Sequence, residues 1–255
     1  MLLAVDVGNT QTAIGLFTGP QLTGHWRMAT DQQTTADEVH LTLHGLLELA
    51  GYRDEQISGM ALSSVVPPLT DIWEEVSARI CGTAPVLASV ATAPWVSLSY
   101  DNPEEIGADR IADTVAALDT YGAPVVVVDL GTATNIEVID REGSFVGGII
   151  APGLVTSTNA LFAAAARIPR FDIVEPRSVL GKTTRDAVRS GLLYGEVDRI
   201  DGLVHRIWDE LGYRTRVIGT GGLVSTIADL STTIETADPN LTLRGLRIIY
   251  ERNQG

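Results

Sequence analysis

Leu2-Leu3-Ala4-Val5-Asp6-Val7-Gly8-Asn9-Thr10 and Val125-Val126-Val127-Val128-Asp129-Leu130-Gly131-Thr132-Ala133-Thr134 are two versions of one pattern. Each is a short apolar run of buried, parallel-strand character that ends in an aspartate and enters a glycine turn rich in hydroxyls. Each turn leads into a second strand, Thr12 to Phe17 and Asn135 to Ile139. A glycine-bearing hairpin follows in both, through Gly19-Pro20 and Arg141-Glu142-Gly143. A third strand comes next, around His25 to Met28 and Ser144 to Ile150. The repetition implies an internal duplication and two similar α/β halves. With the boundary near Tyr121 to Pro124, they are residues 1–121 and 122–255.

Helical signals fill the rest of each half. Thr35-Ala36-Asp37-Glu38 has capping-box spacing and opens a helix to about Ala50, with Gly51 as the stop. A strand is expected from Gly59 to Val66, closed by Pro67-Pro68, and a helix from Thr70 to Ile80 before Gly82. A third helix starts near Asp109 and stops at Gly122. In the second half Leu154 to Arg167 reads as helix. Lys182 or Thr183 opens a long helix to about Leu211, and a strand from Arg214 to Ile218 ends in Gly219-Thr220-Gly221-Gly222. Within the long helix Ala187, Gly191, Gly195 and Gly202 lie within about 80° of one another. Glycine in a helix costs roughly 1 kcal/mol against alanine, so this face serves either tight packing on the chain's own sheet or a seam between subunits.

The 255 residues carry 18 basic and 32 acidic side chains, a formal charge of -14, and the only lysine is Lys182. Phosphate backbones and anionic membranes both need clustered cations, so neither nucleic acid nor a membrane surface is an expected partner. Cys81 stands alone, which excludes an internal disulfide and a multi-cysteine metal centre. The apolar start stops at Asp6, too short for a signal peptide, and no 18-residue apolar run follows. A cytoplasmic location is the expectation.

A strand ending in aspartate before a glycine and hydroxyl turn suits a nucleotide phosphate. The glycine admits close approach, backbone N–H groups and threonine hydroxyls donate to phosphate oxygens, and the carboxylate can hold a cation. One such turn is an ordinary turn; two in duplicated halves would place Asp6 and Asp129 about the phosphates of one ligand. Gly181-Lys182-Thr183-Thr184 is not a Walker loop, because position 176 is Pro176, and no G-x-G-x-x-G follows a strand. His40 and His44 have the spacing of a zinc helix, but Leu41 stands where that motif has glutamate, and a solvated helix face is the reading. In Gly107-Ala108-Asp109-Arg110 the aspartate is either a cap at a helix start or a general base for a substrate hydroxyl. In the second case Arg110 supplies charge to an acidic substrate or a phosphoryl group.

Together these residues carry a resemblance. The chain resembles, over nearly its whole length, the type III pantothenate kinases of the acetate-kinase, sugar-kinase, Hsp70 and actin superfamily. The motifs are Asp6 to Thr10, Gly107 to Arg110, Asp129 to Thr134, Gly147-Gly148-Ile149-Ile150-Ala151-Pro152-Gly153, and Gly181 to Thr184. The resemblance implies two halves of actin-like ATPase (ribonuclease H-like) topology, each a mixed five-stranded sheet with helices, facing a nucleotide cleft. It implies ATP-dependent phosphorylation of pantothenate to 4′-phosphopantothenate, the first step of coenzyme A biosynthesis, by a homodimer. ATP would be bound by Asp6, Val7, Gly8, Asn9, Thr10, Gln11, Thr12, Ala13 and Thr132. Pantothenate would be bound by Tyr100, Gly107, Ala108, Asp109, Arg110 and Thr184. Asp109 would be the proton acceptor and Asp129 the monovalent-cation ligand, with potassium or ammonium required beside Mg2+. Asn135 stands where relatives carry a second threonine. Two rivals remain: another small-molecule kinase of this fold, and a regulatory or accessory relative that binds without turnover.

Overall fold

The computed structural model describes residues 1–165, 168 and 170–254. The chain divides into two compact units, Met1–Thr120 with the chain from Asn240 onward, and Tyr121–Pro239.

The first unit opens with β1 (Leu2–Val7), β2 (Gln11–Thr18) and β3 (Gln21–Ala29), a meander of antiparallel neighbours. Helix α1 (Ala36–Leu49), strand β4 (Gly59–Ser64), helix α2 (Pro67–Cys81) and the short strands β5 (Val86–Leu87) and β6 (Ser97–Leu98) follow. The sheet runs β3-β2-β1-β4-β5, with β4 and β5 parallel to their neighbours. Alternation along β1 puts Leu3, Val5 and Val7 into a core with Val39, Leu43 and Leu47 of α1 and Leu69, Trp73 and Val76 of α2. Thr35 caps α1 as its sequence requires: its hydroxyl accepts from the Glu38 N–H, and the Glu38 carboxylate accepts from the Thr35 N–H at 2.8 Å. Pro67-Pro68 does not close the preceding strand. It forms the first positions of α2, where a missing N–H costs nothing, so the helix starts three residues before the expected Thr70.

The unit ends with α3 (Ala108–Tyr121) and α7 (Leu241–Arg252), which packs on β1, β2 and β4. The sequence pattern did not reveal α7, because Gly245 interrupts it. That glycine is needed by tertiary packing: a Cβ there would lie 1.9 Å from the Ala112 carbonyl oxygen of α3. The last residues of the expected second half thus pack with the first sheet.

The second unit repeats the first. Strands β7 (Val125–Leu130), β8 (Ala133–Ile139) and β9 (Ser144–Pro152) form the same antiparallel meander. After α4 (Leu154–Ala164) and α5 (Thr184–Leu211), β10 (Arg216–Thr220) adds parallel to β7, and β11 (Thr236–Ala237) adds parallel to β10, beyond the short α6 (Val224–Ala228). Strand order is therefore the same in both units. The duplication reaches the irregularities. With Asp6 aligned to Asp129, the register shift at Leu16/Phe17 corresponds to the one at Val138/Ile139. The turn is one residue shorter in the second unit: Gly8 to Gln11 links Val7 to Thr12, and Gly131 to Ala133 links Leu130 to Thr134. The expected end of α4 at Arg167 lies outside the described residues.

Helix α5 is capped by Thr183, whose hydroxyl accepts from the Asp186 N–H at 3.1 Å. Leu193, Val197, Ile200, Val204 and Ile207 pack it on Val126, Val128 and Leu130. Its glycines play no part in that packing. Among the described residues a Cβ at Gly191, Gly195 or Gly202 would meet nothing within 4 Å, so the chain's own sheet is not their reason. No helix among the described residues is long and apolar enough to cross a membrane.

Candidate functional site

In the first unit, Asp6 sits near the end of β1 on the face opposite the α1 and α2 core. Asp6 pairs with Ala13 on β2, and Ala13 pairs with Arg27 on β3; on the other side Asp6 lies beside Ser63 of β4. Directly paired residues share a sheet face, so these four form one row. Behind the row the Gly8 N–H donates to the Gln11 carbonyl at 3.1 Å and closes the turn that carries Asn9 and Thr10. Thr12 points to the other face and shares a hydrogen bond with Thr30 at 3.0 Å.

Asp109 enters from the first turn of α3. Its Oδ1 accepts from the Arg110 N–H at 2.8 Å, and the Gly107 carbonyl accepts from the Ile111 N–H at 3.1 Å. Gly107 is glycine for want of space: a Cβ would stand 2.5 Å from the Asp109 Oδ1. Arg110 is buried beside it, with Thr114 donating to its carbonyl at 2.8 Å. Burial raises the Asp109 carboxyl above the ordinary carboxylate range, and the Arg110 N–H and guanidinium pull the other way. Asp6 is pushed up to about 7, by burial first and by the Asp109 charge second, against the Ser63 hydroxyl and the Arg27 guanidinium. Burial thus makes both carboxylates costly to ionise, and the charge of Asp109 bears on Asp6. Tyr100 lies in the loop after β6, half-buried.

In the second unit Asp129 lies one residue from the end of β7, and Thr132 lies in the turn that follows. Asp129 pairs with Asn135 and, in parallel, with Thr220, as Asp6 does with Ala13 and Ser63. Gly221 follows Thr220 with φ +89, a left-handed conformation that favours glycine. A Cβ there would stand 2.4 Å from the Asp129 Oδ1, so the strand-to-helix turn is moulded around this carboxylate. The buried Asn135 Oδ1 has no hydrogen-bond partner among the described residues. A carboxylate with an orphaned amide oxygen in the paired position, walled by glycine, fits a hard cation, which takes oxygen ligands. Among the described residues no group of three or more His, Cys, Asp and Glu is placed to hold a metal ion. A cation here would need further ligands from substrate or water.

The Asp129 turn also meets α4. The Gly153 N–H and the Thr156 hydroxyl both donate to the Thr132 carbonyl, at 3.1 and 2.6 Å. Thr134, the counterpart of Thr12, donates to the buried Glu196 of α5, whose other oxygen accepts from Arg199. Thr184 begins α5 and lines a cavity of about 540 Å³ with Phe171, Arg185 and Arg189; neither Asp129 nor Thr132 lines it. Gly181 packs on the first turn of α5, where a Cβ would stand 2.2 Å from the Ala187 nitrogen. His40 and His44 do not face a metal. Their Nε2 and Nδ1 share the Asp54 carboxylate at 3.1 and 3.2 Å, a partly exposed cluster. Ser63 and Arg27 escaped the sequence reading, because only strand register places Ser63 beside Asp6 and Arg27 two strands away in its row.

The profile of the type III pantothenate kinase family matches residues 2–206. The type III pantothenate kinase of Moorella thermoacetica is 43% identical over 253 residues, covering 99% of this chain and 100% of the relative. Among solved structures, the activator of the 2-hydroxyisocaproyl-CoA dehydratase from Clostridium difficile, with bound ADPNP, superposes with a TM-score of 0.62 at 12% identity. It matches over 99% of this chain and 96% of its own. The ROK hexokinase of Thermus thermophilus superposes with a TM-score of 0.51 at 12% identity, over 100% and 99% of the two chains. These likenesses show the fold, that of the actin-like ATPases and sugar kinases. By the extent of its match to the family profile and to a full-length relative, the chain belongs to the type III pantothenate kinase family.

Proposed function

We propose that this protein transfers the γ-phosphoryl group of ATP to the primary hydroxyl of pantothenate, giving 4′-phosphopantothenate and ADP, the first step of coenzyme A biosynthesis. The observation that carries the mechanism is Asp109, held at the head of α3 by the Arg110 N–H, with its charge acting on Asp6. The hydroxyl oxygen forms the new bond to phosphorus as the bond to the bridging oxygen of ADP breaks, and the hydroxyl proton passes to the Asp109 carboxylate. A carboxylate raised by burial is a stronger base than a solvated one, which suits that role. Phosphoryl transfer otherwise asks for positioning and charge neutralisation. The turn from Asp6 to Ala13 and Thr132 offer backbone N–H groups and hydroxyls to the nucleotide. Gly107 to Arg110, Tyr100 and Thr184 receive pantothenate. The cavity beside Thr184 is lined by the Phe171 ring, the guanidiniums of Arg185 and Arg189 and one carboxylate, Asp186, a lining that supports an anion with an apolar body.

A divalent cation would arrive with the nucleotide and neutralise its phosphate oxygens. Asp129, with the Asn135 Oδ1 in the paired position, would hold potassium or ammonium. The open glycine face of α5 supports the homodimer, because small residues whose missing side chains would meet nothing among the described residues suit a close approach between copies. Light scattering should give twice the chain mass; a monomer at micromolar concentration would remove this assignment.

The test is a coupled ADP-release assay with ATP and Mg2+, pantothenate beside sugars and small carboxylates, in potassium and then in sodium. Turnover is expected with pantothenate alone and should fall when sodium replaces potassium. Asp109→Asn should keep the fold and lose about 10²-fold or more in kcat, the contribution of a general base. Near-normal turnover by that variant would sink the base assignment. Silence of the folded wild type with every acceptor would point to the accessory reading.

A further inference from the structure

Arg27 is the exposed charge on the face that carries Asp6. Two steps of strand pairing, Asp6 to Ala13 and Ala13 to Arg27, set it in the same row. At about 4.8 Å per strand the two Cα atoms lie about 10 Å apart. Ala13, between them, is too small to block an arginine side chain lying across the sheet. Neighbouring strand alternation agrees, since Trp26 and Met28 turn to the opposite core.

The two guanidiniums of this region differ in what they are free to do. Arg110 is buried at the head of α3, and its charge acts on Asp109. Arg27 is exposed, its charge acts on Asp6, and among the described residues no side chain or carbonyl takes a hydrogen bond or an ion pair from it. A triphosphate at the Asp6 turn brings several negative charges against two carboxylates. An arginine without an acceptor among the described residues, in the same row, answers that need: its planar fork of donors matches phosphate oxygens.

We propose that Arg27 is a further catalytic residue: its guanidinium binds the terminal phosphate of the nucleotide at the Asp6 turn and carries part of the charge on the phosphoryl group as it passes to the acceptor. The inference deepens the kinase reading and rests on it. No covalent bond to Arg27 is involved and its protons stay in place. Its contribution is electrostatic, greatest when charge spreads over the transferring group.

The experiment compares wild type, Arg27→Ala and Arg27→Lys for kcat and for both KM values, with Tm as a control. In Arg27→Ala, kcat should fall by roughly 10²- to 10³-fold, as for loss of one preorganised donor. KM for pantothenate should stay within about threefold in the same variant. Tm should hold, because the side chain is exposed and makes no contact that folding needs. Arg27→Lys should recover part of kcat, and millimolar guanidinium should restore turnover to Arg27→Ala without stimulating wild type. A structural role would not respond to added guanidinium. Unchanged kcat in Arg27→Ala, a loss confined to KM for pantothenate, or a loss that guanidinium does not relieve would overturn the proposal. A wild type that binds ATP yet phosphorylates no pantothenate would overturn the kinase reading and this one with it, and wild-type activity separates the two failures.

Discussion

Gly107 illustrates how a single residue can matter without touching substrate. Its missing side chain leaves room for the Asp109 Oδ1, which a Cβ would approach to 2.5 Å. Gly107→Ala should push the carboxylate aside and leave α3 intact, because the obstructed group is the free end of a side chain. The expected outcome is a roughly ten- to hundred-fold loss of kcat, of the order that ångström-scale misplacement produces, with Tm nearly unchanged. A kcat within about twofold of wild type would remove the positioning role. Asp109 was legible in the sequence because Gly107 to Arg110 is a continuous motif at a helix start. Ser63 and Arg27 were not, since each reaches Asp6 through strand register and neither lies within a motif.

At the scale of the element, one substitution should have opposite signs on two helices. Gly245→Ala on α7 drives a methyl group to 1.9 Å from the Ala112 carbonyl oxygen, a backbone atom that cannot swing away. It should cost about 2 kcal/mol or more, in the range of overpacked cores. Gly191→Ala on α5 meets nothing within 4 Å among the described residues. In a dissociated chain it should stabilise by up to about 1 kcal/mol, the helix propensity difference; in a dimer joined at that face it should weaken association. Denaturant unfolding across a range of protein concentrations measures both effects. A stabilising Gly245→Ala would contradict the packing of α3 on α7. Helix starts were the most legible elements, Thr35 and Thr183 above all, because a cap is a contact between residues three apart. Helix α7 was hidden for the converse reason: the glycine that obscures its pattern answers to the carbonyl of Ala112, far earlier in the chain.

At the scale of the whole molecule, the raised Asp6 carboxyl links stability to pH. Its folded value of about 7 lies above the ordinary 3.8, so the folded state binds the proton more tightly than the unfolded one. Its contribution is fully present below about pH 4 and is lost as pH rises through about 7. Asp201 works in the reverse sense. Burial alone would raise its carboxyl, but hydrogen bonds from Ser231, Thr232 and Thr233 hold it below the ordinary value. Its contribution is present above the ordinary carboxylate range and is lost in acid. The contributions of these two groups are therefore present together only on the acid side of neutrality. Asp6→Asn, which cannot ionise, should be more stable than wild type at about pH 8. That advantage should amount to a few kcal/mol, since each tenfold difference in proton affinity between folded and unfolded chain is worth about 1.4 kcal/mol. It should shrink towards about pH 5. Thermal unfolding of both proteins from about pH 5 to 8.5 measures it, and a difference independent of pH would show that Asp6 ionises normally in the folded chain.

The sequence by itself determined the duplicated strand-and-turn pattern, the helix caps, the two acidic hydroxyl turns and the Gly107 to Arg110 segment. All of these are local, and hydrogen bonds between residues a few positions apart leave a readable trace. Tertiary structure decided what joins distant positions. It placed α7 on the first sheet, aligned Asp6 with Ala13 and Arg27, left the Asn135 Oδ1 without a partner among the described residues beside Asp129, and turned the glycines of α5 away from their own core. The physical reason is that strand register and helix packing are chosen by the summed burial and hydrogen bonding of many residues, which no short stretch of sequence records.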